Sequence, residues 1–203
     1  MLEIIKKNSS LIGRMIVNQI ALTVFGLVLS FATHQNKPLF LFTSIFAIGF
    51  YLVLLYTMSW EAGIADKVRV DAKRIPYQPN KFAVLSFAAN SLNILLAVLA
   101  IIGWIFNKFS YYVSVDWAYN LYMCCNAIAR FIQGMYAGAI SLISPSNPLL
   151  LLPIVIPSIM ACTYGYYLGV NGKTIRHFFG IKTQYDNLLS DTGIHHESNG
   201  ENN

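Results

Sequence analysis

Charge is what this sequence has least of. Asp, Glu, Lys and Arg make up 11% of its 203 residues, and hydrophobic residues make up 56%. A water-soluble domain carries about a quarter charged residues, so this composition excludes an ordinary globular fold. Cysteine is scarce too. Cys124, Cys125 and Cys162 sit in apolar stretches without C-x-x-C or C-x-x-H spacing, which argues for small apolar residues and against a zinc or dithiol site. No H-E-x-x-H, G-x-S-x-G or Walker-type glycine loop occurs, and His34 and His177 fall outside the apolar runs. Catalysis therefore lacks recognisable machinery, and no cofactor or metal is expected.

What is present is long apolar runs. Those at 11–32, 38–60, 83–106 and 149–170 match the roughly 20 residues a helix needs to cross the hydrocarbon core. Lys6 and Lys7 precede a run ending in Ser30-Phe31-Ala32, a small-x-small pattern like a signal cleavage site. The run is too long for a signal core and is expected to stay as the first span. The short polar break at 33–38 forces the first two spans into an antiparallel hairpin. The stretch 61–82 carries Lys67, Arg69, Lys73, Arg74 and Lys81 against Glu61, Asp66 and Asp71. Its first part, 61–75, is expected to form a short helix stopped by Pro76 and Pro79.

The segment 116–143 is apolar overall yet contains Asp116, Asn120, Asn126, Arg130 and Gln133. On a helical wheel these fall within an arc of roughly 140°, opposite Leu121, Cys125, Ile128, Phe131, Ile132 and Met135, which predicts one amphipathic helix. Lys and Arg concentrate before the first span, in the middle loop and after the last span, so both termini and that loop are expected on the cytoplasmic side. The number of crossings is then even. The fold expected is an all-α integral membrane protein with four transmembrane helices plus one interfacial or re-entrant helix over 116–143. Five transmembrane helices is the alternative. Residues 1–184 form a single membrane domain, and 185–203 are expected to be a disordered cytoplasmic tail.

Arg130 with Asn126 and Gln133, on a helix expected to face Asn90 and Asn93 of the third span, is the sharpest constellation. Charge at membrane depth marks a functional site or a specific pairing, so these five residues are candidates for a substrate path. An interfacial helix whose Arg130 meets water and phosphates is the competing reading. Gly134/Gly138 and Gly165/Gly169 each form a G-x-x-x-G, which permits close helix approach. Asp66 and Asp71 resemble a cation site, but the intermingled bases argue for a solvated, salt-bridged segment. Lys67, Arg69, Lys73 and Arg74 are candidates for docking a partner or anionic lipid. His195 and His196 beside Glu197 are a weak ligand set, and no metal is expected there. The net charge of +5 reflects topology signals, so no nucleic-acid partner is expected.

The stretch Trp60-Glu61-Ala62-Gly63-Ile64-Ala65-Asp66-Lys67-Val68-Arg69-Val70, followed by Arg74-Ile75, resembles a loop of uncharacterised small multi-pass membrane proteins of Gram-positive bacteria. Confined to 60–75, the resemblance implies a bacterial cell membrane and no activity. Two functional readings follow from the residues. The leading one is a non-catalytic or accessory subunit of a membrane complex, bound to a partner or to a second copy of itself. The alternative is a small-solute transporter or transporter subunit with a polar path around Arg130.

Overall fold

The structure is a computed structural model that describes residues 2–109, 116–143 and 147–173. The described residues form helices α1 (Leu2–Lys7), α2 (Ser9–Thr33), α3 (Lys37–Asp71), α4 (Lys81–Ala89), α5 (Ser91–Phe109), α6 (Asp116–Ile132), α7 (Ala137–Ile143) and α8 (Ile156–Val170). Short 3-10 turns occupy Gly134–Tyr136, Pro148–Leu151 and Pro153–Val155. Four segments, Ser9–Thr33, Lys37–Asp71, Ser91–Lys108 and Pro148–Val170, are long and apolar enough to cross a membrane. Their outward faces expose large apolar side chains such as Val17, Phe31, Phe42 and Met160, as expected where lipid is the solvent.

Local chemistry sets the helix ends. The Asn36 side chain caps α3 by accepting from Leu39 N at 3.4 Å, with Pro38 in the first turn, where a missing N–H costs nothing. α3 then runs for 35 residues, about 52 Å, beyond any bilayer core. The separate short helix expected at 61–75 does not exist: residues 61–71 continue the helix of the second span, and 72–75 form the turn that follows it. Nothing between Trp60 and Asp71 breaks the helix, and it stops ahead of Pro76, where Lys73 adopts a φ of +55°. The third span bends at Asn90. The Ser86 carbonyl accepts both Asn90 N at 3.0 Å and the Asn90 side-chain Nδ2 at 2.9 Å, and such back-bonding loosens a helix.

The segment 116–143 is a re-entrant hairpin. α6 starts beside the end of α5, where a Cβ on Gly103 would stand 2.8 Å from the Ala118 carbonyl. It descends to Ile132, whose carbonyl accepts from Thr23 Oγ1 of α2 at 2.5 Å. The chain turns through Gly134–Tyr136, and α7 climbs back along the start of α3, with Gly138 against Phe40 and Ser44. Both ends of the segment thus lie at the end of the bundle that holds the α2–α3 connection. The single amphipathic helix expected here is corrected to two helices, α6 and α7, joined through the turn Gly134–Tyr136. Cys125 and Met135, from the apolar side of the wheel, are buried, as is Gln133 from the polar side. Here neighbouring helices, not water, decide which face turns inward.

Glycines join the last span to α3. A Cβ on Gly165 would stand 2.6 Å from the Ser59 hydroxyl and 2.7 Å from the Tyr56 carbonyl. One on Gly169 would meet the Trp60 carbonyl, with Gly63 Cα at 3.0 Å. Both G-x-x-x-G pairs therefore mark close approaches within the chain: Gly165 and Gly169 meet α3, Gly134 meets Leu27 of α2, and Gly138 meets α3. This packing brings Tyr166 over Phe82, with ring centroids 4.9 Å apart. Gly169→Ala is expected to lower stability in detergent by about 1–3 kcal/mol through overpacking. Gly49→Ala, which would meet nothing within 4 Å, is expected to be neutral or stabilising. Thermal unfolding of the two variants checks this.

Candidate functional site

The turn of the hairpin carries Gln133 into the middle of the bundle. There a small cavity of about 10 Å³ is lined by Gln19, Tyr51, Asn90, Asn93, Gln133 and Ser158, among others. By helix rise, Gln19 and Tyr51 lie about 20 Å from the α2–α3 connection, so the site is far from either bundle end. Such a volume suits about one water molecule.

Each wall has a local reason. Asn90 bends its helix and also donates to Ser158 Oγ at 3.2 Å, while Asn93 Nδ2 donates to Asn90 Oδ1 at 3.2 Å. The Ser158 hydroxyl donates to Val155 O at 2.7 Å, where the last span passes from a 3-10 turn into α8. Gln133 is 2% exposed, and neither its amide nitrogen nor its oxygen has a hydrogen-bond partner among the described residues. Asn93 Oδ1 and the Tyr136 hydroxyl share that condition. Leaving a buried polar group unpaired costs about 1–3 kcal/mol, and the adjoining cavity has room for one small hydrogen-bonding molecule to supply the partner.

Of the five residues proposed for a substrate path, the structure brings Asn90, Asn93 and Gln133 together. Asn126 and Arg130 do not line the cavity; Arg130 Nε donates to Asn126 Oδ1 at 3.0 Å, one helical turn away on α6. Gln19, Ser158, Tyr51 and Tyr136 were not singled out from the sequence. The adjacent amides Asn18 and Gln19 inside the first apolar run were a signal for Gln19; for the hydroxyls there was none.

A charged cluster occupies the opposite end of the bundle. Asp66 is 3% exposed and accepts from Lys81 Nζ at 2.6 Å and from Tyr166 Oη at 3.1 Å, with Arg69 Nη1 at 3.6 Å. Asp66 is thus a buried, paired carboxylate rather than part of a solvated face. Asp66 and Asp71 are not part of a metal-holding group among the described residues. Arg69, Lys73 and Arg74 are exposed and Lys67 is half-buried. His195, His196 and the 185–203 tail lie outside the described residues.

Removing one partner of a buried ion pair strands the other charge. Lys81→Met is expected to cost about 3–5 kcal/mol, and the Asp66→Leu/Lys81→Met double variant is expected to recover most of that. Thermal unfolding of the single and double variants in detergent checks it. No protein-family model, no curated protein and no solved structure matches this chain.

Proposed function

We propose that this chain passes a small neutral polar solute across the bilayer, as a transporter or as the solute-handling subunit of one. The observation that carries this reading is Gln133, an amide without a protein partner carried into the middle of the bundle by the turn between α6 and α7 and met there by polar groups from all four spans. Polar groups at that depth are costly and mark solute pathways. The polar lining consists of amides and hydroxyls without a charged side chain, which suits a hydrogen-bonding neutral molecule better than an ion.

The site is closed to anything larger than water, so passage needs movement. The helix breaks at Asn90, at Gly134–Tyr136 and at Pro153–Val155 all adjoin the cavity and supply hinge points. By the bias of Lys and Arg toward the cytoplasm, the end holding Lys7, Arg14, Lys67 and Arg69 faces inward, in the cell membrane. An accessory role would draw on the exposed Lys73 and Arg74 just beyond α3, but it leaves Gln133 unexplained.

Purified protein in lipid vesicles is expected to speed urea or glycerol entry, followed by light scattering after an osmotic step. Gln133→Leu is expected to reduce that permeability about tenfold or more while raising the thermal midpoint, because it removes an unpaired buried amide. Full permeability in Gln133→Leu would contradict the proposal.

A further inference from the structure

At the end of the bundle that holds Asp66, two adjoining cavities of about 340 and 280 Å³ share Asn8, Asp66, Arg69 and Lys81. The first adds Lys7 and Glu3; the second adds Arg14 and Glu61 over a floor that includes Leu11, Met58 and Ala62. Asp66 neutralises Lys81 at 2.6 Å, while Arg69 lies 3.6 Å from the same carboxylate with a side chain 62% exposed. With the Asp66–Lys81 pair discounted, Lys7, Arg14 and Arg69 stand against Glu3 and Glu61, an excess of one positive charge. A phosphodiester carries one negative charge, whereas inorganic phosphate near neutral pH carries more.

Depth narrows the ligand further. Ser9 opens the first membrane-length apolar segment, and Arg14 lies about 7.5 Å along it, close to the charged end of the bundle. A long basic side chain at that level reaches back to the phosphates, and the apolar floor beneath it accepts hydrocarbon. We propose that these joined cavities bind the headgroup of an anionic phospholipid, with its phosphodiester between Arg14 and Arg69 and the start of its acyl chains over Leu11 and Met58. The lipid then bridges α1, α2 and α3 beside the Asp66–Lys81 pair. This inference is independent of the neutral-solute reading, since it concerns the other end of the molecule.

The test uses purified full-length protein in a neutral detergent with dioctanoyl phosphatidylglycerol as the probe. It is expected to raise the thermal midpoint, with dioctanoyl phosphatidylcholine giving a smaller shift and inorganic phosphate none. Arg14→Gln and Lys7→Gln should each lose most of the shift, and Lys73→Gln, outside both cavities, should keep it. Lipid extracted from the purified wild-type protein should also be enriched in anionic phospholipid over the source membrane, a readout that survives if a variant fails to fold. An equal shift with inorganic phosphate would assign the site to a free anion instead. Equal shifts for both lipids, or an undiminished shift in Arg14→Gln, would overturn the proposal.

Discussion

A chain that reverses direction inside a bilayer exposes peptide groups where no water can reach them, and each one left unpaired costs several kcal/mol. The hairpin of α6 and α7 meets that constraint with two hydroxyls from its neighbours. Thr23 of α2 donates to the Ile132 carbonyl, freed because Tyr136 N bonds instead to Gln133 O at 2.8 Å. Ser44 of α3 donates to Met135 O at 2.9 Å and accepts from Ala139 N at 3.4 Å. Gly26 lets the turn come close, since a Cβ there would stand 2.5 Å from Met135 Cα. Position and polarity of the turn are thus set together by α2 and α3.

Fixing the turn fixes what it carries. Gln133 immediately follows the capped Ile132, so its amide is held in the middle of the bundle, where the bend at Asn90 and the 3-10 entry to α8 bring the other polar walls. The last span reaches that position because Gly165 and Gly169 let it lie almost backbone to backbone on α3. The same contact sets Tyr166 against Asp66. Packing driven by small residues therefore positions both polar sites, the neutral one inside the membrane and the charged one at its edge.

The spans were legible in the sequence because their signal is local: enough apolar residues in a row to reach across the hydrocarbon. The re-entrant hairpin was half legible. Charge parity on the loops indicated that 116–143 does not cross, but the wheel assumed one straight helix and missed the break after Ile132. That break depends on Thr23 and Ser44, more than 90 positions away in the chain. Asp66 was misread for a similar reason: its near neighbours are bases on its own helix, whereas the partners that bury it, Lys81 and Tyr166, come from α4 and α8. Asn90, Asn93 and Gln133 were recognisable as polar groups at depth; that Arg130 would pair with Asn126 and leave the cavity lining neutral was not.

The hairpin is tested most directly by labelling from either side of the membrane. In a Cys124→Ala/Cys125→Ala/Cys162→Ala background, single cysteines at Trp117, Ile143 and Lys73 would be exposed to a membrane-impermeant thiol reagent in sealed vesicles of known orientation. The account predicts that positions 117 and 143 label from one face and position 73 from the other. Labelling of 117 and 143 from opposite faces would mean that the segment crosses the membrane and would contradict it.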